Sequence, residues 1–211
     1  MKKIDLNNEP IPDSVKEKYL SLLDPVIQFA IRMKLTPNIF TTIGFVISCI
    51  AAVLAAKGDI RIASVVILFA GMFDTVDGKL ARASGKVTKF GALFDSSLDR
   101  YSEVLYLFGL AFFYIRSEWY WTSVAVAIAL GGSLMVSYVR ARAEGLGFDC
   151  KVGMMQRPTR IILLGFGGLI HVGALAVAIW LIAVFANVTA IQRIFHVWKE
   201  DRVEHSSPEN Q

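Results

Sequence analysis

The chain has 211 residues, of which 55% are hydrophobic, and a formal net charge of +4. Its apolar content exceeds the roughly 45–50% of soluble domains, so the composition points to an integral membrane protein, one domain by length. Lys and Arg fall between the apolar runs, which suits membrane topology and anionic ligands rather than a nucleic-acid partner. Cys49 lies in an apolar run and Cys150 in a polar loop, so no disulfide and no cysteine metal site is expected.

Residues 1–13 form a polar N-terminal tail without the apolar core of a signal peptide. In residues 14–34, Val15, Tyr19, Leu22, Val26, Phe29 and Met33 recur at helical spacing, with Lys16, Glu17, Lys18, Gln28 and Arg32 off that stripe. This predicts an amphipathic helix lying in the membrane interface, with Pro25 as a kink position. Residues 35–198 read as one membrane domain. Pro37 and Asn38 start the first span, which runs from Ile39 to Ala56. The second begins at Ile60, the third covers Phe90 to Ile115, and the fourth reaches Tyr138 after the interfacial aromatics Trp119, Tyr120 and Trp121. The fifth runs from Arg157 to about His171 and is glycine-rich, which favours close helix packing. The sixth covers Ala174 to Val197, and residues 199–211 form a polar tail expected to be disordered from Asp201 onward. The fold class is thus all-α, with six transmembrane helices plus an N-terminal interfacial helix. Basic residues crowd one set of ends, while the other set carries only Lys57, Arg61 and Arg116. The positive-inside rule then puts both termini in the cytoplasm, as expected of a multi-pass inner-membrane protein.

Between the second and third spans the sequence reads Asp74-x2-Asp77-Gly78-x2-Ala81-Arg82-x8-Gly91-x3-Asp95-x3-Asp99. Spacings of three and four place each aspartate pair on one helix face. Solvated surface acids would not be flanked by runs as apolar as Ser64–Phe73 and Val104–Tyr114. An Asp at mid-membrane costs roughly 2.5–3.5 kcal/mol, so such clusters carry function. Oxygen donors without neighbouring His or Cys select hard cations such as Mg²⁺ or Mn²⁺. Two such ions could neutralise a pyrophosphate, Arg82 would add a fixed charge, and one carboxylate could take a proton from an attacking hydroxyl.

The Asp74-to-Asp99 pattern resembles the signature of the CDP-alcohol phosphotransferase family, with every signature position filled. The resemblance implies an enzyme that transfers a phosphatidyl group from CDP-diacylglycerol to an alcohol and releases CMP. It implies Asp74, Asp77 and Asp95 as metal ligands for two ions, and Asp99 as general base that also touches a metal. For the CDP-lipid it implies contacts from Asn38, Ile39, Phe40, Thr41, Asp74, Gly78, Ala81, Arg82, Thr88 and Gly91. A homodimer in the membrane is also implied.

Ser137-Tyr-Val-Arg140-Ala-Arg142-Ala-Glu144, Arg157-Pro158-x-Arg160, Gln192-Arg193 and Val197-Trp198 are similar to the bacterial phosphatidylinositol phosphate synthases of that family. This implies inositol phosphate as acceptor, its phosphate held by Arg140, Arg142, Arg157 and Arg160, since an arginine fork donates two hydrogen bonds at once. Those arginines could also be topology charges alone. Arg140, Gln156 and Thr159 depart from the Lys, Glu and Glu usual there, which keeps glycerol 3-phosphate, free inositol and serine as alternative acceptors. An ion path would spread its acids through membrane depth, whereas these lie at one depth on two helices. Glu103 lies one turn after Asp99, outside the signature, where it can tune the site.

Overall fold

The structure is a computed structural model and describes residues 13–205, with side chains from 23 to 203. Within that range there are seven helices: α1 (Asp13–Arg32), α2 (Pro37–Lys57), α3 (Ile60–Ala83), α4 (Lys89–Arg116), α5 (Tyr120–Gly145), α6 (Arg157–Ile170) and α7 (Val172–His205). Three of them, α2, α5 and α7, contain stretches long and apolar enough to cross a membrane. The helices α3 and α4, at 24 and 28 residues, are long enough. What sets them apart is charge, because they carry the aspartates and their basic flanks.

Helix boundaries follow local chemistry. Pro37 and Pro158 sit in the first turns of α2 and α6, where a missing N–H costs nothing. Thr88 caps α4, its Oγ1 accepting from Gly91 N at 2.9 Å. Helix α6 stops after 14 residues, when His171 adopts extended backbone and α7 begins at once. Helix α7 then runs 34 residues without a break, so residues 201–205 are helical where a disordered tail was expected. Val197 does not end the helix because no Gly or Pro follows until Pro208, and Arg202 stacks 4.2 Å over the Trp198 ring, one turn back. The rest of that tail, residues 206–211, and the first 12 residues lie outside the described range.

Helix α2 packs on α3 and α4, α3 on α6, α4 on α5, and α5 and α6 on α7. The main core joins Ile67, Tyr106, Leu107, Leu110, Ala129, Leu164, Ile179 and Ile182. Small residues bring backbones close. A Cβ on Gly109 would strike the Ala52 carbonyl of α2, and one on Gly168 would strike Ser64 Oγ of α3. A second cluster seats α1 on α3 through Leu23, Ile27, Ala30, Val76 and Leu80, and Lys79 Nζ reaches Asp24 Oδ1 at 2.6 Å. The outer faces are apolar, with Val46, Ile50, Val53, Phe108, Phe112, Val177 and Val184 all exposed. An apolar surface of this extent fits lipid rather than water.

The bundle has two distinct ends. At one, the Tyr114 hydroxyl donates to the Val172 carbonyl at 2.8 Å, joining the end of α4 to the start of α7. At the other meet the start of α2, the end of α3 and the beginnings of α4 and α6. That second end holds the site.

Candidate active site

The aspartate pairs stand on facing helices. Asp74 and Asp77 lie in the second half of α3, and Asp95 and Asp99 in the first half of α4. Asp77 is 3% exposed and accepts from the Thr41 hydroxyl of α2 at 2.7 Å. Thr41 thus has its hydroxyl turned onto a signature carboxylate, where nucleotide contact was expected. Arg157 Nη1, on the first turn of α6, lies 2.5 Å from Asp74 Oδ2 and 2.8 Å from Asp99 Oδ2. One guanidinium therefore bridges the two pairs. Asp95 Oδ1 is buried without a hydrogen-bond partner among the described residues.

The donor set suits a hard divalent cation. Its ligands are all carboxylate oxygens, one of them an orphaned acceptor, and two of them already gather a positive group between them. Among the described residues, no group of three or more His, Cys, Asp or Glu is arranged to hold a metal ion as the side chains stand.

The residues expected around a nucleotide surround one edge of this chamber. Gly91 faces both the Thr88 hydroxyl and Asn38, since an added Cβ would sit 2.9 Å from Thr88 Oγ1 and 3.4 Å from Asn38 Oδ1. The Arg82 guanidinium folds over Gly78 one turn back, 3.6 Å from where a Cβ would be. Ala81 is half-buried on the same helix. Asn38 and Ile39 line an open apolar pocket with Thr42, Ile43 and Phe94, between α2 and α4. Phe40 differs from its expectation. It is buried in the cluster that seats α1, with Phe73 against it, and so serves packing rather than an open lipid contact.

The four arginines expected to hold an acceptor phosphate are not equivalent. Arg157 reaches the chamber. Arg140 is half-buried and pairs with Glu144 on its own helix at 2.8 Å, and Arg142 is exposed on the last turn of α5. Arg160 is revised: it is 0% exposed, its Nε and Nη2 donate to Glu103 at 2.6 and 2.7 Å, and its Nη1 donates to the Met155 carbonyl at 2.7 Å. Its fork is spent inside the protein.

Two features were not anticipated. Glu103 is the buried partner of Arg160. A carboxylate in an apolar helix needs such a partner, which was the available signal. The loop before α6 is tied to one face of α7: Thr189 Oγ1 accepts from Met155 N at 3.3 Å, and Arg193 donates to the Val152 carbonyl at 2.9 Å. These contacts set where α6 begins, and so where Arg157 stands.

A family model for CDP-alcohol phosphatidyltransferase matches residues 34–198. The archaetidylinositol phosphate synthase of Methanothermobacter thermautotrophicus is 35% identical over 198 residues, covering 90% of this chain and 98% of that protein. The crystal structure of Mycobacterium tuberculosis phosphatidylinositol phosphate synthase with CDP-DAG bound aligns with a TM-score of 0.76 and 32% identity, covering 88% of this chain and 94% of that one. The same enzyme in complex with manganese and citrate aligns with a TM-score of 0.75, covering 88% and 90%. Signature, site geometry and these likenesses agree, and the chain belongs to the CDP-alcohol phosphatidyltransferase family.

Proposed function

We propose that this enzyme transfers a phosphatidyl group from CDP-diacylglycerol to inositol phosphate, releasing CMP. The observation that carries this reading is the double contact of Arg157 with Asp74 and Asp99. It puts a phosphate-binding group within hydrogen-bond reach of the proposed base. Both archaeal and mycobacterial relatives are named for an inositol phosphate product, while their lipid portions differ. The shared part supports the acceptor.

Asp74, Asp77 and Asp95, with Asp99 at the edge, would hold Mg²⁺ or Mn²⁺, two ions in all. Bound there, the ions would neutralise the donor's diphosphate and polarise the phosphorus under attack. Asn38, Thr88, Gly91 and the Gly78–Arg82 turn would take the cytidine and its phosphates, the bare glycines allowing close approach. Asp99 accepts the proton of the acceptor's hydroxyl as that oxygen attacks. Arg157 leaves the carboxylates and holds the acceptor's phosphate, helped by the N-terminal amides of α6. Arg140 and Arg142 add positive charge along its approach.

The membrane arrangement we favour has six crossings, α2 to α7, with α1 in the interface and both termini cytoplasmic. The alternation of helix ends and the basic flanks of the site end support it. Helix α6 is the shortest of the six, its 14 residues extending ~21 Å against a hydrocarbon core of ~30 Å. A homodimer through the outer apolar faces is part of this reading.

The test is CMP release by purified protein given CDP-diacylglycerol or its archaeal ether-lipid counterpart with inositol 1-phosphate, inositol, glycerol 3-phosphate or serine. Inositol 1-phosphate should be the best acceptor, and EDTA should abolish release until Mg²⁺ or Mn²⁺ is restored. Equal reaction with free inositol, or full activity in excess EDTA, would overturn the reading.

A further inference from the structure

Two ionic rungs connect α4 to α6. Asp99 and Glu103 are four residues apart on α4, and Arg157 and Arg160 three apart on α6, so each pair shares a helix face. The outer rung, Asp99–Arg157, is a single contact at 2.8 Å between half-buried side chains. The inner rung, Glu103–Arg160, is a two-point fork at 2.6 and 2.7 Å, with its side chains 4% and 0% exposed. Arg160 also holds the carbonyl of Met155, just before α6 starts.

We propose that Glu103 is a positioning residue for the transfer: through Arg160 it locks the rotation of α6 and thereby aims Arg157 at the acceptor's phosphate. This rests on the acceptor reading above. The outer rung has to open in each turnover, because Asp99 and Arg157 are both needed elsewhere. Among the described residues the inner rung is then the ionic tie left to keep the two helices in register, beside the packing of α6 on α3 and α7. The first turn of α6 has no side-chain cap to do so. A helix surface lies 5–6 Å from its axis, so a rotation of about 20° would carry the Arg157 guanidinium on the order of 2 Å. Misplacement of that size is enough to cost roughly a hundredfold in a positioned reaction.

Stability alone does not account for the pair. A buried ion pair is about as stable as apolar residues of the same volume, and often less so. Its advantage is direction: a fork on a carboxylate fixes the angle of both helices, where leucine or methionine would allow slippage.

The experiment uses the full chain in detergent with three enzymes: native, Glu103→Asp, and the apolar pair Glu103→Met with Arg160→Met. The apolar pair should fold and bind CDP-diacylglycerol as the native enzyme does. Its KM for inositol 1-phosphate should rise by roughly tenfold or more, with KM for the donor unchanged. Glu103→Asp keeps the charge but draws Arg160 in by about one methylene, and should raise the acceptor KM by a smaller factor, roughly threefold. An unchanged acceptor KM in Glu103→Asp overturns the proposal, even if the apolar pair does not fold. An equal rise in donor and acceptor KM also overturns it. If the native enzyme uses only unphosphorylated alcohols, the acceptor reading and this proposal fall together. If it uses a phosphorylated one and the variants match it, only the positioning role falls.

Discussion

Arg157 Nη1 stands 2.5 Å from Asp74 Oδ2 and 2.8 Å from Asp99 Oδ2, so one side chain ties together α3, α4 and α6. The acids and the arginine hold each other in place until substrates arrive. Arg157→Ala removes a charge-assisted contact worth roughly 1.5–3 kcal/mol, which converts to a ten- to hundredfold weaker acceptor interaction. Steady-state kinetics should show that rise in KM for inositol 1-phosphate, with the donor's KM little changed. No change in either constant would reduce Arg157 to a topology charge.

Asp99 and the α3 acids should part company on substitution. Asp99→Asn keeps the shape and leaves CDP-diacylglycerol bound, but it cannot take the acceptor's proton, and the rate should fall by roughly a hundredfold or more. Asp74→Asn should instead weaken Mn²⁺ and donor binding together. Binding of the donor by calorimetry, set beside CMP release, separates the two. Near-native turnover by Asp99→Asn would send the search for the base elsewhere.

Thr41 donates to Asp77 at 2.7 Å from inside the bundle, where water does not replace it. Thr41→Val keeps the volume and removes the donor, leaving the carboxylate to move. Mn²⁺ affinity, followed by titration of the purified protein, should drop about tenfold. Thr41→Ser should restore it. Equal affinity in the valine and serine variants would mean that the hydroxyl does not hold Asp77 for a cation.

Gly109 marks a close approach of α4 to α2, with its missing side chain against the Ala52 backbone. Gly109→Ala should force the helices apart at a cost of about 1–3 kcal/mol. A lower midpoint of thermal unfolding in detergent, with weaker donor binding because α2 also carries Asn38 and Thr41, is the expected result. A midpoint equal to the native one would show that the bundle absorbs a methyl group there.

The aspartates were legible in the sequence because their spacing is local: three and four residues along one helix need no tertiary information to share a face. Helix starts at Pro37 and Pro158 were legible for the same reason, whereas the Thr88 cap, one residue before α4, was read only as a nucleotide contact. Arg160 was misjudged because its partner lies 57 residues away, and periodicity does not say which of two neighbouring arginines points outward. Thr41 was placed on the right wall, but its target, 36 residues on, was not visible. Phe40 looked like a lipid contact because it sits among contact residues. Only the docking of α1 shows that this face of α2 is covered. The extent of α6, from Arg157 to about His171, was legible too, and the glycines before its end pack closely on α3 and α7.

Helix α6 has 14 residues beside neighbours of 24 and 28, and its first turn lies level with the carboxylates. It spans ~21 Å, short of a hydrocarbon core of ~30 Å, so α6 itself does not wall the chamber beyond Arg157. On the proposed reading this leaves two approaches to one chamber. A sugar phosphate would descend from water over Arg157, while a lipid would enter by the open pocket of Asn38, Ile39 and Phe94 with its tails still among its neighbours. Neither substrate would have to leave its own solvent, and the bond would be made where the two solvents meet.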